Sequence, residues 1–269
     1  MSYAVAIAGL GAIGMQVAGT LDKGEIGGMR LAAVSARDLN RAADRISGFA
    51  HPPAVVEATL LAKYADIVIE CAPKAIFEPL ARSVIEAGRI FIPLSGGALL
   101  DHMDLVDLAR QTGARIFLPT GAIIGLDTVR AMAMGEVHQV TLQTRKPPGG
   151  LAGAPYLEEN GIDVRGITEA TRVFSGTARQ AAKGFPANVN VAAALSLAGI
   201  GPERTMVEVW ADPGIDRNIQ SVSIVSDSGE AEMTIRNIPS AENPRTGKIT
   251  ALSVIACLRR MTDTLVAGT

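Results

Sequence analysis

Five apolar residues in unbroken succession, Ala4-Val5-Ala6-Ile7-Ala8, run straight into Gly9-Leu10-Gly11-Ala12-Ile13-Gly14, and no other stretch of the 269-residue chain restricts its fold as tightly. An apolar run without alternation suits a strand covered on both faces, as the central strands of a parallel sheet are. The glycines then divide a specific task. Gly9 permits a tight turn, Gly11 lets a pyrophosphate approach the backbone, and Gly14 lets the following helix pack on the strand. A helix opening there, with a periodic pattern running to Leu21, turns free N–H groups and the positive end of its dipole toward an anion. Gly9, Gly11, Ala12, Ile13 and Gly14 are therefore the first candidate contacts for a dinucleotide; the alternative is a glycine-rich turn that holds nothing.

The same rhythm continues to about residue 120. Strands are expected over 30–35, 66–71, 89–94 and 115–118, with helices over 39–46, 77–87 and 103–112 between them, the last two stopped by Gly88 and Gly113. Alternating β and α units of this length make a doubly wound parallel sheet, a Rossmann-type domain over 1–120. The second strand ends in Ser35-Ala36-Arg37-Asp38, with no carboxylate at its tip to read a ribose 2′-hydroxyl. Ser35 at the strand end is a cofactor candidate, Arg37 suits a 2′-phosphate, Asp38 still reaches for a ribose, and both charges also fit a solvated loop, so NADP and NAD stay open.

After Pro119 the pattern changes. A glycine-punctuated loop (120–127) leads to a short helix over 128–134 and an alternating strand over 137–144. Arg145-Lys146-Pro147-Pro148-Gly149-Gly150 reads as a breaker-rich loop. A strand over 170–175 and helices over 177–183 and 186–198 come next. Strands over 205–211, 221–226 and 232–238 read as an antiparallel sheet, and a helix over 248–265 closes the chain. The expected organisation is a Rossmann domain over 1–120, a smaller α+β domain with a mostly antiparallel sheet over 121–246, and a C-terminal helix (247–269) packing back on the first domain. Asn188 suits a helix cap. Asn190, one turn further in, suits a hydrogen bond to a nicotinamide carboxamide or a substrate carboxylate, or a satisfied core amide. Arg145 and Lys146 form a cationic pair fit for a carboxylate or for the surface, and Thr246 has the position of a helix cap.

Composition closes off other classes. With 48% hydrophobic and 19% charged residues the chain is not disordered, and a net charge of −2 gives no electrostatic case for nucleic acid or an anionic membrane. The opening apolar run is too short to span a bilayer. Cys71 and Cys257 read as buried free thiols of a reducing, cytoplasmic compartment, and no metal site is expected. An open antiparallel sheet needs its outer face covered, so a homo-oligomer, a dimer, is expected.

Taken together, the chain resembles the L-aspartate dehydrogenase family. The resemblance runs through Gly9–Gly14, Val68-Ile69-Glu70-Cys71-Ala72, Ser95-Gly96-Gly97-Ala98-Leu99, Thr120-Gly121-Ala122-Ile123, Arg145-Lys146-Pro147-Pro148 and Phe174-Ser175-Gly176-Thr177-Ala178. It continues through Phe185-Pro186-Ala187-Asn188-Val189-Asn190-Val191-Ala192-Ala193, Ala211-Asp212-Pro213, Arg217-Asn218 and Asn243-Pro244-Arg245-Thr246. It implies interconversion of L-aspartate with iminosuccinate, or oxaloacetate plus ammonia, and hydride transfer to NAD or NADP. By matching positions it implies cofactor contacts at the glycine turn, the Ala122–Ile124 loop (Ala122 and Ile124) and Asn190; Cys71 and Ala72 are further cofactor candidates, and Asn188, Arg145, Thr177 and Thr246 are substrate candidates. The family pattern carries a catalytic histidine two residues after the asparagine that matches Asn218; Gln220 stands there instead. An imidazole exchanges protons near neutrality and a carboxamide does not. His51, His102 and His138 match no family motif and read as surface or structural. Three possibilities remain: an aspartate dehydrogenase in which Lys146, Asp212 or a water moves the proton; a dehydrogenase or imine reductase of this fold with another amino, imino or keto acid; or a cofactor-binding protein without catalysis.

Overall fold

A six-stranded parallel sheet in the order β3-β2-β1-β4-β5-β6 organises the first half of the chain. Its strands are β1 (Tyr3–Ala8), β2 (Met29–Ser35), β3 (Ala54–Val55), β4 (Ile67–Glu70), β5 (Ile90–Pro93) and β6 (Arg115–Ile116). The computed structural model describes residues 2–186, 189–240, 242 and 246–268. The chain divides into two units, 1–119 with 250–266, and 120–249 with 267–269. β1 pairs β2 on one side and β4 on the other, so the strand order reverses at β1 and the loops after β1 and β4 flank the crevice there. Val5, Ala6, Ile7 and Ala8 are all fully buried, as an apolar run between two covered faces requires.

Helices α1 (Ala12–Asp22), α2 (Leu39–Ile46), α3 (Phe77–Glu86), α4 (Gly96–Asp101) and α5 (Asp104–Thr112) connect these strands. Asp38 caps α2, accepting the Arg41 N–H at 3.0 Å, and α5 ends on Gly113 with φ +75°. α4 and the 3₁₀ turn Ala58–Lys63 are not expected from sequence because segments this short show no helical period.

The second unit holds α6 (Leu126–Met132), α7 (Pro155–Glu159), α8 (Ala178–Gly184) and α9 (Asn190–Ala198). Its sheet has the order β11-β10-β7-β9-β8, from β7 (Val137–Lys146), β8 (Thr171–Thr177), β9 (Thr205–Ala211), β10 (Ile219–Ser226) and β11 (Gly229–Arg236). The sheet is mostly antiparallel, as expected, with β7 and β9 its one parallel pair. A correction concerns Arg145 and Lys146, which lie in β7 rather than in a loop. Their ladder continues to the Trp210 and Ala211 partners, and only Pro147, which lacks an N–H, ends it. α8 and α9 pack on β8 and β9. The closing helix α10 (Ile249–Arg260) is shorter than expected, and its Val254 and Leu258 complete the core of the first unit with Val17, Ile69 and Ile92.

Candidate active site

The glycine turn in the first unit is built by steric exclusion. Gly9 has φ +95°, and a Cβ there would sit 2.4 Å from the Cys71 carbonyl oxygen. A Cβ on Gly14 would lie 1.9 Å from the Gly9 carbonyl oxygen. Gly11 differs: a Cβ there meets nothing within 4 Å, so the backbone at this position is open on that side. Gly11 is also the cap residue of α1, no side chain caps that helix, and no acidic residue enters its first turn. The first helical hydrogen bond is Met15 N–H to Gly11 O, which leaves the amides of Ala12, Ile13 and Gly14 to an outside acceptor. This is the geometry a pyrophosphate requires, and the residues present fit a dinucleotide.

Two hydrogen bonds hold the turn, and a buried carboxylate, Glu70, ties the loops after β4 and β5 beside it; Arg45 and Glu70 are not singled out from sequence. The Gly9 N–H donates to the Ser35 carbonyl at 2.7 Å, tying the turn to the end of β2. The Arg45 guanidinium of α2 donates to the Leu10 carbonyl. Glu70, fully buried at the end of β4, accepts from the Ala72 N–H at 2.8 Å and from the Ser95 N–H and hydroxyl, each at 3.0 Å. Burial pushes its carboxyl up while these donors pull it down, the burial being the larger effect. The signal for Glu70 in the sequence is a lone carboxylate inside the apolar strand 67–70, which burial makes costly unless it is hydrogen-bonded. Cys71 and Cys257 are free and half-buried rather than buried. Burial, with the Glu70 charge second, drives the Cys71 thiol up, and burial raises Cys257 to about 11, so neither is a thiolate at neutral pH. At the tip of β2, Ser35 is buried and Arg37 exposed, while the Asp38 carboxylate is engaged by the α2 cap.

In the second unit one face of the sheet is buried. Val140, Leu142, Thr144 and Lys146 of β7 lie beside Gln220, Val222 and Ile224 of β10, with Gln220 directly opposite Thr144. Lys146 and Gln220 therefore share a face and an end of the sheet, one diagonal step apart, a spacing of about 7 Å between backbones. Lys146 is 8% exposed, and loss of hydration pushes its amine down to about 8. Gln220 is 5% exposed, and its Oε1 is buried without a hydrogen-bond partner among the described residues. Asn237, which carries no distinguishing signal in the sequence, is as deeply buried and has its Oδ1 in the same condition.

The remaining candidates are separated from this pair or engaged elsewhere. Arg145 follows the strand alternation to the opposite face, where it pairs with Asp212 at 2.8 Å and lies 5.9 Å from the Trp210 ring. Asp212 also accepts the Gly214 N–H at 2.9 Å. Thr177 caps α8 in a reciprocal box with Gln180, a structural duty. Thr246 lies before α10, which begins at Ile249, and Gly247 between them bridges to Pro239. Asn190 is the first residue of α9 rather than one turn in, and it is exposed. Asn188 lies outside the described residues. Ala122 and Ile124 are half-buried in the loop before α6, and the Ala122 carbonyl accepts from Asn237 Nδ2 at 3.0 Å. His51 and His138 are exposed, and His102 stacks on Phe77. No metal-ligating cluster and no helix long and apolar enough to cross a membrane occur among the described residues.

Comparison with known proteins agrees with both halves. Residues 9–119 match the family model of the homoserine dehydrogenase NAD-binding domain, and residues 127–261 that of the aspartate dehydrogenase C-terminal domain. An L-aspartate dehydrogenase of Bradyrhizobium diazoefficiens is 51% identical, across 98% of this chain and 94% of that protein. L-aspartate dehydrogenase 3 of Bordetella bronchiseptica is also 51% identical, across 98% and 97%. The crystal structure of aspartate dehydrogenase from Thermotoga maritima superposes with a TM-score of 0.72 at 27% identity, each chain covered in full.

Proposed function

The chain belongs to the L-aspartate dehydrogenase family, and from that premise we propose that it oxidises L-aspartate at the Cα–N bond, giving iminosuccinate, which water opens to oxaloacetate and ammonia. It is an NAD(P)-dependent oxidoreductase acting on a CH–NH₂ group. The nicotinamide ring, when bound, supplies the hydride acceptor. The chain itself must cradle the pyrophosphate, orient the substrate and take a proton from the substrate ammonium before Cα can release hydride.

The observation that carries the reading is a buried amine, Lys146, on the same sheet face and end as Gln220, with its proton affinity lowered to about 8 by loss of hydration. A lysine so placed is neutral often enough near neutrality to accept that proton at Nζ. Gln220 exchanges no proton and serves to hydrogen-bond the imine or the water that opens it. Asp212, held by Arg145, is the weaker candidate for the proton. Ser35 and Arg37 favour acceptance of NADP beside NAD, because Asp38 is occupied by its helix cap. Ala122, Ile124 and Asn190 belong to this reading as cofactor contacts, and Asn188 and Thr246 as substrate contacts. So do self-association through the half-exposed outer face of the second sheet and residence in the cytoplasm, the former tested by sedimentation.

The test is direct. Purified protein with L-aspartate and NAD or NADP is followed at the reduced-nicotinamide absorbance, and absence of turnover with folded, cofactor-binding protein refutes the aspartate reading. Gln220 at the position of the family's histidine favours a second reading, a dehydrogenase or imine reductase of this fold on another substrate. Gln220→His separates the two: a gain of aspartate activity by orders of magnitude marks an aspartate pocket, and no gain marks a changed substrate.

A further inference from the structure

Two buried carboxamides in the second unit each keep a carbonyl oxygen without a hydrogen-bond partner among the described residues, a costly condition that well-packed interiors avoid. Their positions are related. Gln220 of β10 faces Ile235 of β11. Asn237 lies two residues past Ile235, and its N–H donates to the Asn218 carbonyl at 2.9 Å, so the ladder runs one step beyond the end of β11. Alternation therefore returns Asn237 to the face that carries Gln220 and Lys146. Register places Lys146 beside Asn218 from the other side, since Arg145 faces Ile219. Asn237, Gln220 and Lys146 thus share one face at the end of three adjacent strands, arranged around Asn218.

Asn237 is held rigidly. Its Nδ2 donates to the Ala122 carbonyl, which fixes the carboxamide's orientation and leaves Oδ1 as the unmatched atom. Gly247 packs against it so closely that a Cβ there would come within 3.3 Å of that oxygen. A fixed, dehydrated carbonyl oxygen is a preorganised acceptor. Two of them beside an amine that gives and takes protons ask for a ligand group with several N–H donors.

We propose that Asn237 Oδ1 and Gln220 Oε1 together seat the amino nitrogen of the substrate, with Asn237 a binding residue for the reaction proposed above, on which this inference rests. The two oxygens accept N–H hydrogen bonds from the substrate ammonium and, later, from the ammonia formed when the imine is opened. A third N–H is left to face Lys146. The seat selects amino and imino acids over hydroxy and unsubstituted acids, because only a nitrogen satisfies both acceptors.

Calorimetry on protein saturated with NADH, which blocks turnover, tests the seat with L-aspartate and with succinate, the same diacid without its amino group. Wild-type protein is expected to bind L-aspartate at least tenfold more tightly than succinate. Gln220→Met and Asn237→Ala are each expected to weaken L-aspartate about tenfold, the scale of one lost hydrogen bond to a charged group, with succinate changed less than twofold. Gln220→Glu, which keeps an acceptor, restores the preference. NADH binding by each variant certifies its fold, and Gln220→Met, close in volume, keeps the test decisive should Asn237→Ala not fold. Equal losses for both diacids, or no loss, overturn the seat while leaving the dehydrogenase reading intact. Wild-type protein that binds NADH but neither diacid overturns both.

Discussion

Replacing Lys146 by methionine removes a charge that the fold holds out of water, and the consequence can be worked from the structure. Loss of hydration lowers the amine from its usual 10.5 to about 8. Each tenfold change in proton affinity is about 1.4 kcal/mol, so holding Lys146 charged costs the folded state on the order of 3 kcal/mol. Below pH 8 the amine is protonated in both folded and unfolded chains, and that cost is present in full. Between about 8 and 10.5 the folded protein has released the proton and the unfolded chain has not, so stability rises with pH and the cost fades. Lys146→Met should therefore be more stable than wild type by on the order of 3 kcal/mol at pH 7, the range seen when buried charges give way to apolar residues. The difference should shrink toward zero by pH 10.5. Trp210, the chain's single tryptophan, lies on β9 of the same sheet and reports unfolding of this unit in urea. At about 2 kcal/mol per molar urea, the midpoint should rise by about 1.5 M at pH 7. The same variant should lose about 10²–10⁴-fold in kcat. An unchanged midpoint at pH 7, or a difference that stays constant across pH 8–10.5, would refute the reasoning.

The glycines should separate folding from binding. Gly11→Ala folds with an unaltered melting temperature and loses dinucleotide affinity by at least tenfold in NADH fluorescence titration, whereas Gly14→Ala, whose methyl meets the Gly9 carbonyl, fails to fold stably; equal behaviour of the two contradicts the cradle. Arg37→Ala should weaken NADPH about tenfold and NADH less than twofold by the same titration, and parallel losses would take the 2′-phosphate away from Arg37. Glu70→Ala leaves the Ala72 and Ser95 amides without their acceptor and should cost on the order of 3 kcal/mol in thermal unfolding; an unchanged melting temperature would show that the loops after β4 and β5 do not depend on it.

Whatever depends on neighbours along the chain was legible before any coordinates. The apolar run ending in Gly9 defines β1 and its turn, the helix over 39–46 has the bounds read from its periodicity, and Gly113 stops α5 as glycine does at helix ends. These features depend on backbone sterics and a hydrophobic period within a dozen residues. The clustering of site groups has no such local origin. Arg145 and Lys146 look like a loop beside two prolines until strands far along the chain supply their partners. Asn237 becomes informative only when its amide meets the Ala122 carbonyl, 115 residues distant in sequence, and Arg45 only when it reaches Leu10. Strand pairing between distant segments chose which side chains share a face, and burial on that face then shifted the proton affinity of Lys146 and left two carbonyl oxygens unmatched among the described residues. Sequence determined the units and their chemistry type, and tertiary pairing decided which polar groups are buried together on one face.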